Sequence, residues 1–237
     1  MNTLKYKRVL LKLSGEALAG SDKFGINPDV MDIFCNEIME ITALGVQVGI
    51  VVGGGNIFRG MRGAEKGFNR IKGDYMGMLA TTINALAIQS ELEEKGQKSR
   101  TLTSTFMEPY AERYSLKRAL DALENGEVVV FSGGTSNPFF TTDSASALRG
   151  VEIGADVLLK GTRVDGIYTA DPEKDKSAVK YETITYDEAI EKKLKVMDLT
   201  AFALCSENKL PVIVFDMNKP GNLKAIVTGQ KIGTLVY

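Results

Sequence analysis

The sequence predicts a three-layer αβα sandwich, a single doubly wound α/β domain around a mainly parallel central sheet, on three observations. Short β-branched runs alternate with longer helical patterns, the strand runs are almost continuously apolar, and no linker or long-period repeat divides the 237 residues. Continuous apolar runs suit strands covered on both faces, and the alternation suits crossover helices. Residues 1–237 are therefore read as one domain, long enough to bury a sizeable core.

The expected strands are RVLLKL (8–13), VQVGIVV (46–52), EVVVFS (127–132), DVLLK (156–160) and VIVF (212–215). Helical patterns cover Pro28 to Leu44, Tyr75 to Lys95, Ser115 to Asn125, Ser144 to Ile153, Tyr186 to Lys192 and Leu199 to Asn208. Asn27 is a good N-cap, and Pro28 suits a first helical turn.

Composition removes several function classes. With 29 basic and 30 acidic residues the formal charge is -1, so no global field draws the chain to nucleic acid or to an anionic membrane. The amino terminus MNTLKYKRVLLKLSGE makes a poor signal peptide because Lys12 interrupts its short apolar run. No apolar stretch approaches the ~18 residues of a membrane span, and a cytoplasmic location is expected. There is no histidine, and the two cysteines, in DIFCNEIMEI and AFALCSEN, lack CxxC spacing. That argues against a zinc site and against an imidazole base, and no protein-held metal site is assigned.

Four expected strands run into glycine-rich turns, LSGEALAG, GGGNIFRG, SGGTSNP and KGTRVDG. In a doubly wound sheet these turns share the edge where ligands bind. Backbone N–H groups near helix N-termini host anions, so polyphosphate is the expected guest. The known loops for it are missing: Gly-Lys never occurs, which excludes a Walker loop, and neither the HRD and DFG elements of protein kinases nor GxGxxG is present.

Lys12 and Lys160 end two of these strands. A single strand-end lysine is adequately explained by its stem snorkelling to water. Two of them beside glycine turns favour a shared anion, and suit stabilisation of a transferring phosphoryl group. In TSNPFFTTDSASALRG (135–150), Asn-Pro marks a turn and Thr-Thr-Asp a helix start. Asp143 there is either a cap near the positive end of the dipole or a carboxylate orienting the lysines. Asn137, Thr141 and Thr142 offer neutral groups for a base or sugar, and Phe139 and Phe140 are core or pocket wall. Most of the basic residues of RGMRGAEKGFNRIKGDY (59–75) need only be solvated, but Arg59 directly follows the triple-glycine turn and is placed to hold the same anion.

These stretches together resemble the amino acid kinase superfamily, and within it the bacterial uridylate kinase (UMP kinase) family over nearly the whole chain. KLSGEAL, GGGNIFRG, GDYMGMLAT, NPFFTTDSA, LLKGTRVDGIYTADP and LKVMDLTAF carry the resemblance. The lysine-glycine pieces are shared across the superfamily, whereas GDYMGMLAT and NPFFTTD look like uridylate kinases. The resemblance implies the amino acid kinase fold and reversible transfer of phosphoryl from ATP to UMP, giving ADP and UDP, in de novo pyrimidine (CTP) biosynthesis. It implies Mg²⁺ accompanying ATP, UTP as inhibitor, GTP as activator in many members, and a homohexamer.

Carried over by residue, Lys12, Leu13, Ser14 and Gly15 would meet ATP phosphates, with Gly55 and Arg59 along the phosphate path. Thr162, Tyr168 and Asp171 would surround the adenine nucleotide. Gly54 and the segment Thr135, Ser136, Asn137, Pro138, Phe139, Phe140, Thr141 and Thr142 would bind UMP, with Asp74 on its ribose. Asp143 and Asp198 match aspartates at or near the transfer site, although Asp198 could equally cap a helix. The loop Gly20, Ser21, Asp22, Lys23, Phe24 and Gly25 matches a region linked to GTP activation. AIQSELEEKG is acidic where GTP-responsive members carry Arg or His, so UTP inhibition with a weak GTP response is expected.

The missing histidine fits a nucleotide acceptor. A phosphate monoester with a second pKa near ~6 is already nucleophilic at neutral pH and needs no general base. A kinase of the same fold acting on a carboxylate or carbamate would have no use for Asp74. A nucleotide sensor would not need charge on the transferring group.

Overall fold

The computed structural model describes residues 4–58, 69–194 and 196–237. Among the described residues nine strands form one sheet: β1 (Arg8–Leu13), β2 (Gln47–Val52), β3 (Ser99–Thr103), β4 (Glu112–Arg113), β5 (Val128–Ser132), β6 (Val157–Thr162), β7 (Thr183–Ile184), β8 (Val212–Asp216) and β9 (Thr234–Val236). Their order is β4-β3-β5-β2-β1-β6-β8-β9-β7. All neighbours pair parallel except β8 with β9. The five expected strands are β1, β2, β5, β6 and β8. SRTLT of β3 escaped notice because it is polar, and β4, β7 and β9 are too short to show a period.

Eight α-helices are described: α1 (Gly15–Leu18), α2 (Pro28–Thr42), α3 (Arg70–Glu94), α4 (Leu116–Glu124), α5 (Thr142–Glu152), α6 (Tyr186–Glu191), α7 (Leu199–Glu207) and α8 (Asn222–Val227). Period-2 alternation splits the sheet between two cores. Val9, Leu11 and Leu13 pack with α2, α3 and α8, whereas Leu10 and Leu158 pack with α4, α5 and α7. Asn27 caps α2 as expected, accepting from Asp29 N and Val30 N.

The helix expected from Tyr75 starts at Arg70, capped by Asn69. Gly73 and Gly77 weaken helix propensity, but tertiary packing overrides that cost. A Cβ on Gly54 would lie 2.7 Å from both Gly77 O and Ala80 Cβ, so the turn after β2 sits directly on α3. Among the described residues no helix is long and apolar enough to cross a membrane.

Chain direction decides where ligands fit. From β1 and β2 the chain turns into α2 and α3 on one face, and from β5 and β6 it turns into helices on the other. Crevices therefore open at two switch points, between β1 and β6 and between β2 and β5.

Candidate active site

Lys12 and Lys160 occupy the same register of the parallel pair β1–β6. They follow Leu10 and Leu158 by two residues, so alternation turns both ammonium groups to the face that carries α5. Each side chain is only 12% exposed. Two such neighbours repel unless a counter-charge stands between them, and Asp143 in the first turn of α5 supplies it. Its Oδ1 lies 3.1 Å from Lys12 Nζ as an ion pair outside hydrogen-bond geometry, while Oδ2 accepts from Lys160 Nζ at 2.8 Å. Lys160 also donates to Val196 O at 2.5 Å.

Burial pushes the Asp143 carboxyl up, but Lys12 and Lys160 outweigh it and hold it below its ordinary value. Burial, and then the Lys12 charge, push the Lys160 ammonium down despite Asp143. With two ammonium groups to one carboxylate, the group carries a net positive charge suited to an arriving anion.

A cavity of about 670 Å³ fills the β1/β6 crevice and is lined by Lys12, Leu13, Ser14, Lys160, Thr162 and Gly20 among others. Arg163, Met217 and Asn218 also line it, and the sequence reading missed these three. Gly15 stands behind this wall: a Cβ there would lie 2.4 Å from Gly53 O. Tyr168 and Asp171, expected around the adenine nucleotide, are not in the lining. Tyr168 donates to Asp165 Oδ1 at 2.6 Å, and exposed Asp171 pairs with Lys174 at 3.2 Å.

A second cavity of about 240 Å³ occupies the β2/β5 crevice, with Gly54, Gly55, Asp74, Thr135, Phe140, Thr141 and Thr142 in its wall. Gly55 therefore stands on this side and not beside the larger cavity. Ser136, Asn137, Pro138 and Phe139 are not in the wall; they lie between its members Thr135 and Phe140 in the chain. Ser136 Oγ donates to Ser104 O at 2.7 Å, and Asn137 Nδ2 donates to Thr135 O at 3.1 Å. Asp74 bonds within the protein, accepting from Phe139 N at 2.8 Å and from Arg70 Nε at 2.9 Å. It anchors the 135–142 segment to α3 before any ribose is considered, and Arg70 is a partner the sequence did not reveal.

Asp198 caps α7 by accepting from Ala201 N at 2.8 Å, and it also accepts from Ser144 Oγ and from Thr141 Oγ1, the N-cap of α5. One carboxylate joins two helix N-termini beside the lysines, so the capping reading holds, with a consequence for where α5 starts. Arg59, Arg62 and Lys66 lie outside the described residues. In the loop assigned to regulation, Gly20–Asp22 form a 3₁₀ turn, Ser21 Oγ donates to Asp22, Lys23 has φ +61°, Phe24 is exposed, and Gly25 N donates to Asn56 O at 3.0 Å.

Two crevices at the sheet edge, the larger lined by paired lysines that a carboxylate bridges, are the geometry of a phosphotransferase of doubly wound type, and comparison with known proteins shows that class. The model of the amino acid kinase family matches residues 7–216. Proteins named uridylate kinase from Bacteroides thetaiotaomicron and Porphyromonas gingivalis are 60% and 61% identical to the chain, covering 98% of it and 99% and 97% of their own lengths. Among solved structures, UMP kinase from Bacillus anthracis superposes with TM-score 0.95 at 40% identity, over 98% of this chain and 96% of that one. UMP kinase from Ureaplasma parvum gives 0.92 at 35% identity, over 98% and 99%. The chain belongs to the amino acid kinase family, and within it to the uridylate kinases.

Proposed function

We propose that the protein is an ATP-dependent UMP kinase, taking ATP in the larger cavity and UMP in the smaller. The observation that carries this is the Lys12–Asp143–Lys160 group, which stands where a chain of phosphates passing from one crevice to the other would cross the sheet edge. A UMP phosphate oxygen attacks the γ-phosphorus, the bond to the β,γ-bridging oxygen breaks, and ADP leaves. Because the acceptor is dianionic above pH ~6, no proton needs removal, which agrees with a site built without histidine. Lys12 and Lys160 neutralise the equatorial oxygens, and Asp143 holds the two ammonium groups in place until phosphate replaces it as their partner.

Mg²⁺ fits this site as part of the substrate, carried on ATP. The carboxylate at the crossing point faces ammonium groups through both oxygens, and the described residues form no group of three metal-ligating side chains. The ion would offset charge between the β- and γ-phosphates. The proposal includes Tyr168 and Asp171 flanking the adenine nucleotide and Asp74 on the ribose, UTP as inhibitor with a weak GTP response, and a cytoplasmic place in pyrimidine synthesis. It also includes a single domain assembling as a homohexamer. Supporting assembly, Ile71, Tyr75, Leu79 and Ile83 form an exposed apolar stripe at four-residue spacing on α3.

The test is ADP release from Mg-ATP with UMP, CMP, dTMP, acetylglutamate, aspartate and carbamate offered in parallel. Turnover on UMP alone is expected. Turnover on a carboxylate or carbamate instead, or nucleotide binding without turnover on any of them, overturns the reading.

A further inference from the structure

Asn56 and Asn84 are both buried, 1% and 0% exposed, and each is the partner of the other. Asn56 Nδ2 donates to Asn84 Oδ1 at 3.0 Å, and Asn84 Nδ2 donates to Asn56 Oδ1 at 2.7 Å, closing a ring of two amides. Each Nδ2 has one hydrogen left. Asn84 sends it to Gly53 O at 2.7 Å, and Asn56 sends it to Gly25 O at 2.7 Å. Gly25 N donates back to Asn56 O at 3.0 Å.

All four donor hydrogens are used, and those leaving the ring end on backbone carbonyls of the two loops beside the candidate cavities. A buried polar network is costly unless fully satisfied, and when satisfied it specifies one geometry that an apolar core would not. The packing at its edge leaves no slack: a Cβ on Gly15 would meet Asn56 Oδ1 at 2.7 Å and Gly53 O at 2.4 Å. Bare glycines at 15 and 53 thus serve the approach of two protein turns to each other. Three residues earlier on α3, Thr81 Oγ1 accepts from Gly133 N at 2.9 Å, so the same helix holds the glycine turns after both β2 and β5.

We propose that Asn56 and Asn84 are positioning residues for phosphoryl transfer, their amide ring fixing the triple-glycine turn against the Ser14–Gly15 turn and tethering the loop at Gly25. This rests on reading the site as a transfer site. The ring touches no substrate and acts through backbone it holds; misplacement of reacting groups by about 1 Å costs on the order of 100-fold in rate.

The test compares Asn84→Ala with Ile88→Val, a core change on the same helix, in full-length enzyme at a temperature where both are folded. The acceptor is whichever one wild type turns over, so the wild-type substrate profile reads the proposed function and the variant ratio reads the ring. For Asn84→Ala we expect kcat down on the order of 10- to 100-fold with both KM values little changed, and faster amide exchange at Gly25 and Gly53. Ile88→Val should keep its kcat whatever its melting temperature. If Asn84→Ala does not fold, Asn84→Ser takes its place. Unchanged kcat and unchanged exchange at the two glycines, or an equal fall in the Ile88 variant, overturns the proposal. Exchange reads the ring even without turnover.

Discussion

Lys12 and Lys160 stand opposite each other at one register of β1 and β6, and both meet Asp143, at 3.1 and 2.8 Å. A parallel sheet seldom places two ammonium groups side by side under a helix, because burying charge costs several kcal/mol per ion. The arrangement is tolerable with Asp143 in place and useful when a more highly charged anion arrives.

Lys160→Ala should lower kcat roughly 10²- to 10³-fold, the usual loss when one preorganised charge-stabilising donor is removed, and change the KM of either nucleotide little. Steady-state kinetics with each substrate varied in turn checks this. A purely KM effect would recast the residue as a binding group.

Asp143→Asn should leave the two ammonium groups without the carboxylate that bridges them and cost about 3–5 kcal/mol of stability. ATP or pyrophosphate should then raise the melting temperature more in the variant than in wild type, because the anion supplies the missing charge. Calorimetry in buffer free of multivalent anions, with and without pyrophosphate, decides it. The folded-state carboxyl is held below its ordinary value, so its contribution is present above that value and is lost as pH falls through the lowered one. Asp143→Asn should flatten that acid portion of the stability curve.

The rate should fall on the alkaline side at a pH below the ordinary lysine value of 10.5, because burial and Lys12 push the Lys160 ammonium down and its proton is lost early. Lys160→Arg, charged throughout, should move that limb upward even if its rate is lower. On the acid side the rate should rise through pH ~6 with the second ionisation of UMP. A pH profile of kcat/KM, with ATP saturating, shows both limbs.

Asp198→Ala should cost about 1–2 kcal/mol for the lost cap and lower kcat as well, since Thr141 and Ser144 lose the carboxylate that fixes the start of α5. Asp198→Asn retains an acceptor and should lie between. Thermal unfolding alongside kinetics separates the roles. An Asn variant of unchanged stability but as inactive as Lys160→Ala would mean that the charge itself acts on the reaction.

Leu79→Glu, in the exposed stripe of α3, should break assembly into smaller species without unfolding the chain. Sedimentation velocity reads the mass. An unchanged mass would remove this face from the interface.

Much of this was written in local pattern. The five buried strands, the Asn27 cap, the glycine turns at the strand ends and the two strand-end lysines, Lys12 and Lys160, follow from period, turn chemistry and the oddity of lysine at the end of an apolar run, whereas their side-by-side register comes from the sheet. The resemblance in GDYMGMLAT and NPFFTTD pointed to the acceptor. Asn84 could have been found the same way, as an amide inside the apolar run INALAI, where a polar group must find a buried partner.

What the sequence determined by itself is the layer architecture, the glycine turns that end its strands, and the charges available beside them, because hydrophobic period and turn residues act over a few neighbours. Only the tertiary structure decided that Gly15 and Gly53 are bare for each other, that Asp198 ties α7 to α5, that Asp74 is engaged by Arg70 and Phe139 N, and that Asn56 meets Asn84. Those relationships join residues up to 65 positions apart, as with Asp74 and Phe139. They arise from how strands and helices stack, which no local period records.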